Sequence, residues 1–213
     1  MPDRIDSILD FLVLADRFKT VERRSYIADG SRRENSAEHS WHMALCALLI
    51  GDEIAGKVDI GRVLSMILIH DLVEIYAGDA FAYDPQARAD AVAKEEAAAK
   101  RLFGSLPPDL GGRLDSMWRE FEAHETPEAK IAYACDRLQG FLQVYLSHGK
   151  SWAEAKVTRD MTRARTKPAR EADPFVEALV ERIYARLDDG RFWNADGVAV
   201  GPGNGVIRPP SGA

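Results

Sequence analysis

Apolar residues recur along this chain at spacings of three and four positions, which is the period of an amphipathic α-helix. Near the start of the chain the pattern links Ile5, Ile8, Leu9, Leu12 and Phe18. Leu, Ala, Glu, Arg and Lys dominate the composition, and the alternating Val, Ile and Thr runs that are typical of strands are missing. The pattern therefore predicts an all-α fold.

Turn residues and prolines divide this pattern into separate helices. Gly78 is expected to end one helix, and the capping-box spacing of Ser151 and Glu154 is expected to begin another, which Pro168 breaks. The charged segment 21–35 is predicted to be irregular. The predicted helices span approximately residues 5–18, 36–55, 60–76, 87–103, 109–124, 126–148, 151–165 and 173–188.

The end of the chain differs in composition from the rest. Residues 190–213 contain six glycines and three prolines, which favour a loose tail. No linker divides the helices that precede it. We therefore predict a single helical domain over residues 1–189 and a Gly/Pro-rich tail over residues 190–213.

Charge and hydropathy exclude several classes of protein. The 34 acidic and 28 basic residues give a net charge of −6, whereas nucleic-acid binders usually carry a basic excess. The longest apolar runs, 43–50 and 63–69, are far shorter than the roughly 20 residues of a membrane span, and the N-terminus lacks the pattern of a signal peptide.

Cys46 and Cys135 are too few for a disulfide framework. We expect buried thiols in a reducing cytoplasm, with neither nucleic acid nor membrane as partner.

Polar residues interrupt the apolar faces of three predicted helices. His70 and Asp71 directly follow the apolar run 63–69, Asp136 lies within another apolar helix, and His39 lies on an earlier one. A buried ionised aspartate is costly unless it is paired, hydrogen-bonded or bound to a metal. Two imidazoles and two carboxylates form a ligand set that suits a divalent cation and leaves positions for water and substrate.

The same residues also allow a structural interpretation. A single histidine on an apolar helix is more often a core residue than a ligand, and Asp136 has an ion-pair partner available in the adjacent Arg137. His42, His124 and His148 are interpreted as structural. From the residues alone, a metal site and a set of structural contacts both remain open.

The order in which the candidate ligands occur is itself informative. His39, the His70–Asp71 pair and Asp136 resemble the H…HD…D pattern of the HD-domain phosphohydrolases. That resemblance implies an all-helical bundle, one divalent metal held by these four side chains, and usually a homodimer. The ions open to such a site are Co, Mn, Fe, Ni, Zn and Mg.

Three adjoining segments resemble the 5′-deoxynucleotidase branch of that superfamily. They are RENSAEHS at residues 33–40, HDLVE at 70–74 and the pair Gly78–Asp79, and the resemblance as a whole covers about residues 5–185. It implies hydrolysis of nucleoside 5′-monophosphates, preferably deoxy ones, by metal-activated water.

The resemblance also implies roles for single residues. Glu74 matches the position assigned to catalysis, and Asp79 matches one that contacts the nucleoside. Arg24 matches an arginine that orients the phosphate, and a shift of one residue would transfer that role to Arg23. Ser25 stands where the best-known members have a tryptophan that helps to select the deoxy sugar, which leaves sugar selectivity open.

Two other functions remain open at this point. The chain has no glycine-rich phosphate-binding loop and no Gly-x-Ser-x-Gly nucleophile motif. An HD phosphohydrolase for another small phosphoester is the alternative among enzymes, and a non-catalytic nucleotide-binding helical protein is the alternative from another class. Glu74 favours an enzyme, because a purely structural metal site does not need a carboxylate beside its open coordination positions.

Overall fold

A computed structural model describes residues 3–189 and 192–201 of the chain. Within those residues there are ten α-helices and two short strands, and no helix is both long and apolar enough to cross a lipid bilayer. The prediction of an all-α fold is confirmed, with one small hairpin added. The elements are α1 (Arg4–Ala15), β1 (Glu22–Tyr26), β2 (Arg33–Asn35), α2 (Ser36–Ile50), α3 (Ile60–Ile69), α4 (Glu74–Ala77), α5 (Pro85–Phe103), α6 (Pro108–Ala123), α7 (Pro127–Leu146), α8 (Lys150–Glu154), α9 (Arg159–Ala172) and α10 (Pro174–Asp189), with 3₁₀ turns at Asp16–Thr20 and Gly51–Glu53.

The long helix α7 lies at the centre of the fold. Helices α2, α3, α6, α9 and α10 all pack against it. Ile131, Leu138, Phe141 and Tyr145 of α7 are all buried in the main core. A helix with apolar residues on several sides is stable only when other elements cover it. The covering helices bring residues from distant parts of the chain next to Asp136 of α7.

Capping interactions begin two of the helices that carry predicted ligands. Asn35 Oδ1 accepts a hydrogen bond from the Glu38 N–H at 2.9 Å, and Glu38 Oε2 accepts one from the Asn35 N–H at 3.1 Å, which forms a capping box before α2. Before α7, Thr126 Oγ1 accepts from the Ala129 N–H at 3.2 Å, and Pro127 occupies the first helical position. The predicted starts of both helices are confirmed.

The segment predicted to be irregular, 21–35, contains the hairpin. β1 and β2 are antiparallel and pair Glu22 with Asn35 and Tyr26 with Arg33, with an irregularity in register between the pairs. The prediction is wrong for these strands because charged and polar residues occupy both of their faces, so that no alternation marks them. β1 packs against α7, which brings its side chains near the predicted ligands.

The helix predicted over residues 60–76 is interrupted at the predicted ligands. α3 ends at Ile69, residues 70–73 form a tight turn, and α4 begins at Glu74. In this turn the Glu74 N–H donates to the Asp71 carbonyl oxygen at 2.9 Å, which is an i→i+3 bond of the 3₁₀ type. The prediction of one uninterrupted helix is therefore wrong, and the tighter winding changes the directions of the residues that follow His70.

The helix predicted over residues 151–165 is in fact two helices. α8 is short, and α9 begins after Thr158, whose Oγ1 accepts from the Met161 N–H at 3.2 Å. The prediction that Pro168 ends this helix is wrong, because α9 continues to Ala172. A proline removes one backbone hydrogen bond, and the packing of α9 against both α7 and α10 offsets that loss.

The described part of the predicted tail packs on the helical domain. Phe192 is buried, and the Trp193 ring stacks on Trp152 with centroids 5.8 Å apart. The glycine content does not reveal this packing, because the two large aromatic residues precede most of the glycines. Residues 190–191 and 202–213 lie outside the described residues, and the division of the chain after residue 189 stays a prediction.

Candidate functional site

The four predicted metal ligands lie close together at the centre of the fold. His39 on α2 and His70 at the end of α3 are buried, with ring centroids 5.6 Å apart. Asp136 Oδ1 lies 3.2 Å from His39 Nε2, and Asp71 Oδ2 lies 3.1 Å from His70 Nε2 and 3.7 Å from His39 Nε2. One ligand atom from each of His39, His70 and Asp136 lies within 4.8 Å of the other two. We call these four residues the ligand cluster.

Hydrogen bonds at the outer nitrogen of each imidazole decide which nitrogen faces the ligand cluster. His39 Nδ1 contacts Gln139 Oε1, and His70 Nδ1 lies 2.8 Å from the carbonyl oxygen of Ile67. Since both partners are acceptors, the proton of each neutral imidazole lies on Nδ1 and leaves a lone pair on Nε2. Each Nε2 is buried and has no hydrogen-bond partner among residues 3–189 and 192–201.

A divalent cation fits this arrangement. Two buried imidazole lone pairs and two carboxylates within these distances offer a set of electron-pair donors around one point, which suits a small positive ion. Burial by itself raises the pKa of Asp71, but in the metal-free protein the protonated form of His70, together with Arg23, outweighs that effect and holds the pKa below its usual range. The pKa of Asp136 is likewise lowered, because Arg137 and the protonated form of His39 outweigh its burial in the metal-free protein. Both carboxylates are therefore ionised at neutral pH and offer a donor set that first-row divalent ions accept.

Glu74 is the first residue of α4, directly after the turn at residues 70–73, and its side chain is buried. Its Oε2 accepts a hydrogen bond from Ser36 Oγ at 2.7 Å. Burial and the nearby charge of Asp71 raise the pKa of Glu74 well above its usual value. A carboxylate with a raised pKa is a stronger base, which suits a group that accepts a proton from water.

Of the two candidate arginines, Arg23 lies beside the ligand cluster and Arg24 does not. Arg23 Nη1 donates to Asp71 Oδ2 at 3.0 Å and lies 3.9 Å from Asp79 Oδ1. Arg24 is exposed, and its guanidinium carbon lies 5.8 Å from the centre of the Phe81 ring. Successive residues of a strand point to opposite faces, so only one residue of this pair can reach the ligand cluster.

The other two predicted substrate residues lie on the same side as Arg23. Asp79 follows Gly78, whose φ of 75° ends α4 in a conformation that favours glycine. Burial raises the pKa of Asp79, although Arg23 opposes the shift. Ser25 Oγ donates to Glu34 Oε2 at 2.8 Å. Both residues are therefore held by neighbours of the ligand cluster rather than exposed.

Two buried polar residues that were not predicted as part of the site, Glu34 and Gln139, support His39. Gln139 accepts from His39 through Oε1 and donates through Nε2 to Glu34 Oε1 at 2.8 Å. Arg23 Nε lies 3.7 Å from Glu34 Oε2. These contacts form a chain from Arg23 to His39 that orients the imidazole, as outer partners of metal-bound histidines do. The available signals were an amide in an apolar helix and the glutamate of the RENSAEHS segment.

We expect a Gln139→Met substitution to weaken metal binding about 10- to 100-fold, the usual effect of losing an outer partner of a ligating histidine. The variant keeps the length of the side chain but leaves His39 Nδ1 without an acceptor. Equilibrium dialysis against the metal measures the effect. Gln143→Met is the matched control, because Gln143 lies one turn further along α7 and donates instead to the Tyr26 carbonyl oxygen at 2.7 Å. Equal metal affinity in the two variants would contradict the role of Gln139.

A polar cavity opens next to the ligand cluster. Glu122 is one of the residues that line this polar cavity. Its pKa is raised to about 7 by burial and by the nearby negative charges of Glu95 and Asp71. Carboxylates outnumber arginines in the lining, which favours a bound cation. The charged residues that line the polar cavity are Asp71, Glu74, Asp79, Glu95, Glu122, Asp136, Arg23, Arg88, Arg137 and Arg165.

An aromatic cavity adjoins the polar cavity. Its walls include Phe81, Tyr83, Phe141 and Trp152. The Phe141 and Trp152 rings are 5.5 Å apart, and Tyr83 meets Trp152 edge-on at 6.5 Å. Aromatic walls of this kind suit a planar ring system, such as a nucleobase. The two cavities share five charged lining residues, which are Arg23, Asp79, Asp136, Arg137 and Arg165.

The remaining histidines are not part of the ligand cluster. His42 Nδ1 lies 3.4 Å from Gln139 Nε2, and the His124 ring lies 3.6 Å from the Tyr133 ring at the edge of the polar cavity. His148 has a left-handed backbone conformation with φ of 54°. Their structural interpretation stays a prediction.

Known proteins are similar to this chain over most of its helical part. The HD domain family matches residues 15–175. The 5′-deoxynucleotidase HDDC2 of Homo sapiens is 31% identical over 138 residues, which are 64% of this chain and only 66% of that protein. A 5′-deoxynucleotidase from Erwinia tasmaniensis is 27% identical over 190 residues, 84% of this chain and 94% of that protein. The crystal structure of a predicted metal-dependent phosphohydrolase from Magnetospirillum magnetotacticum MS-1 is 41% identical with a TM-score of 0.78, covering 86% of this chain and 94% of that one.

Proposed function

This chain belongs to the HD-domain family, and on that basis we propose that it is a metal-dependent phosphomonoesterase that hydrolyses (deoxy)nucleoside 5′-monophosphates to nucleoside and phosphate. The observation that carries the proposal is the convergence of two buried imidazole nitrogens that lack a hydrogen-bond partner with the carboxylates of Asp71 and Asp136. The relatives named 5′-deoxynucleotidase support this class of substrate. The acid-rich polar cavity supports the metal.

The ligand cluster would hold the metal ion, which when bound lowers the pKa of a water molecule and offsets charge on phosphoryl oxygens. Glu74 accepts the proton of the attacking water through Oε1, since Ser36 already occupies Oε2. Arg23 keeps the carboxylates of Asp71 and Asp79 in place through its ion pairs. The water oxygen bonds to phosphorus as the bond from phosphorus to the 5′-oxygen breaks. The proton that Glu74 accepted is returned to the 5′-oxygen, so that nucleoside and inorganic phosphate are released.

The predicted substrate residues divide between the two cavities. Asp79 lines both of them and is suited to contact a sugar hydroxyl between phosphate and base. Arg23 takes the position beside the phosphate in this proposal, and Arg24 contacts the outer part of the substrate in the aromatic cavity. Ser25 also lines the aromatic cavity, and its small side chain leaves space beside the sugar.

An assay of phosphate release from dAMP and AMP in the presence of Co²⁺, Mn²⁺, Ni²⁺, Fe²⁺, Zn²⁺ or Mg²⁺ tests the function and identifies the active ion. We expect metal-dependent release from at least one of the two nucleotides, and none in EDTA. Because Ser25 replaces the tryptophan that helps to select the deoxy sugar, the ratio of kcat/KM between dAMP and AMP measures what this replacement does.

Two outcomes would point to the alternative functions. Turnover of another small phosphoester, with both nucleotides ignored, would favour an HD phosphohydrolase of different specificity. Nucleotide binding without turnover under any ion would favour a non-catalytic binding protein. Glu74 argues against this second outcome, because it is a buried base beside the ligand cluster.

We propose that the protein forms a homodimer through α1 and α2. These helices expose large apolar side chains, whereas monomeric proteins seldom expose large apolar patches. A symmetric dimer would bury the same surface on both subunits, and sedimentation analysis gives the oligomeric state. The exposed apolar residues of the two helices are Ile5, Leu9, Leu12, Val13, Trp41, Leu45, Leu48 and Leu49.

We also propose that the protein works in a reducing cytoplasm. Cys46 and Cys135 are both free thiols in the described structure; Cys135 is buried as predicted, whereas Cys46 is only partly buried. Burial raises the pKa of Cys46 to about 11, which makes it unreactive.

A further inference from the structure

Arg137 is a buried cation whose hydrogen-bonding capacity is only partly used. Arg137 directly follows the candidate ligand Asp136 on α7, and its side chain is only 9% exposed. The guanidinium carbon lies 4.1 Å from the centre of the Tyr133 ring, which holds the cation over the ring face. Arg137 Nε is buried and has no hydrogen-bond partner in the described part of the chain. A buried arginine that lacks a full set of acceptors is costly, which indicates that a ligand completes the set.

Asp136 compensates the charge of Arg137 only weakly. Arg137 Nη1 lies 3.4 Å from Asp136 Oδ2, longer than a good charged hydrogen bond. The other oxygen, Asp136 Oδ1, lies 3.2 Å from His39 Nε2. Once a cation occupies the ligand cluster, the negative charge of Asp136 is shared with that cation. Arg137 is then left with a positive charge for another anion.

Arg165 differs from the other cations of α9. Each of those cations pairs with a carboxylate, namely Arg159 with Asp188, Arg163 and Arg170 with Glu181, and Lys167 with Glu171. Arg165 makes no ion pair or hydrogen bond with any residue in the ranges 3–189 and 192–201, although it is half-buried. It instead lines both the polar and the aromatic cavity.

The two arginines lie where the cavities meet, because Arg137 also lines both of them. Arg23 lines the same junction, but it already has Glu34, Asp71 and Asp79 as acidic neighbours. The uncompensated positive charge of the junction therefore belongs to Arg137 and Arg165.

We propose that Arg137 and Arg165 form an anion-binding subsite that takes the phosphoryl group of the substrate. This inference rests on the proposed function, in which Arg23 stands beside the phosphate, and adds two further arginines that recognise it. Planar guanidinium groups donate in a fixed fork that matches phosphate oxygens. Binding there places the phosphorus next to the ligand cluster and directs the rest of the ester into the aromatic cavity.

Inorganic phosphate, the product of the reaction, is the probe that tests the subsite. Protein loaded with Mn²⁺ is titrated with phosphate by calorimetry, which requires no turnover. We expect Arg165→Gln to weaken phosphate binding about tenfold, the effect of losing one charge-assisted hydrogen bond. The same variant raises the KM for dAMP by a similar factor and leaves metal affinity unchanged. Arg137→Lys keeps the charge but loses the fork, and we expect it to weaken phosphate binding as well.

Arg163→Gln is the matched control, because Arg163 lies two residues from Arg165 on the same helix and pairs with Glu181. The subsite is overturned if phosphate affinity is unchanged in both Arg165→Gln and Arg137→Lys. It is also overturned if the control Arg163→Gln lowers phosphate affinity by the same factor. In either case, nucleotide turnover would still uphold the proposed function. Weakened phosphate binding in a protein that hydrolyses neither nucleotide would uphold the subsite and overturn the function.

Discussion

An Asp71→Ala substitution is expected to remove metal and activity together. The carboxylate of Asp71 lies within 3.7 Å of both imidazole nitrogens of the ligand cluster. Loss of a residue that only hydrogen-bonds to a metal ligand weakens metal affinity by about 10- to 100-fold. We therefore expect the loss of the proposed ligand Asp71 to weaken metal affinity by more than about 100-fold. Turnover falls by at least the same factor at limiting metal, because the activated water depends on the bound ion.

The same substitution is expected to destabilise the metal-free protein. Arg23, whose side chain is only 16% exposed, loses its closest carboxylate. Breaking a buried ion pair costs about 3–5 kcal/mol, and the lower value applies here because Glu34 and Asp79 remain near Arg23. Urea unfolding in EDTA measures this term separately from metal binding.

Metal content by mass spectrometry after loading decides whether Asp71 is a ligand. Asp188→Ala is the matched control, because Asp188 pairs with Arg159 at the surface at 2.8 Å. We expect the control to retain metal and to lose less than about 1 kcal/mol, as exposed ion pairs do. Metal content in Asp71→Ala equal to that of the wild type would refute the ligand assignment.

Glu74→Gln is expected to retain the metal and the fold, while kcat falls by at least about tenfold. A general base usually contributes a factor of about 10²–10⁴ to the rate, so tenfold is the lower limit of the expected loss. Glutamine preserves the shape of the side chain and can still contact Ser36, but it cannot accept a proton from water. Glu74→Ala should behave similarly. The measurement is kcat at saturating metal together with metal affinity.

The pH profile separates a base from a merely structural glutamate. Glu74 must be ionised to accept a proton, so activity is lost as the pH falls through its pKa. Because burial and Asp71 raise the pKa of Glu74, this acidic limb lies at higher pH than for an ordinary glutamate. We expect the limb to be absent from the residual activity of Glu74→Gln.

Glu96→Gln on α5 is the control for this prediction, because Glu96 pairs with Arg119 at 2.7 Å on the protein surface. It should leave both kcat and the pH profile unchanged. Wild-type turnover in Glu74→Gln would remove Glu74 from the mechanism. A variant that loses metal along with activity would instead make Glu74 a ligand.

The helices and the ligand cluster were largely predictable from sequence, because local rules apply to them. Apolar periodicity and caps such as Thr126–Pro127 act within a few residues, so they can be recognised without knowing the fold. His70, Asp71 and Asp136 stand out because charged or imidazole groups in apolar helices need a compensating partner. The turn at residues 70–73 was missed, since the sequence there is compatible with a continuous helix.

The roles of Arg23 and Arg24 could not be separated in the same way. They are adjacent in sequence, and only the pairing of β1 with β2 decides which of them faces α7. A shift of one residue in a strand exchanges the two faces. Gln139 and Arg165 were missed for a related reason, because a polar residue on a helix is ordinary until its neighbours are known.

The sequence by itself therefore determined the helical class, most helix boundaries and which residues are candidate ligands of a divalent cation. These properties depend on residue type and on interactions over one or two helical turns. Only the tertiary structure decided that His39 is oriented by Gln139, that Arg23 reaches Asp71, and that the two cavities meet beside the ligand cluster. Those properties arise from contacts between residues that are tens of positions apart, and such contacts exist only after α7 has been enclosed by its neighbouring helices.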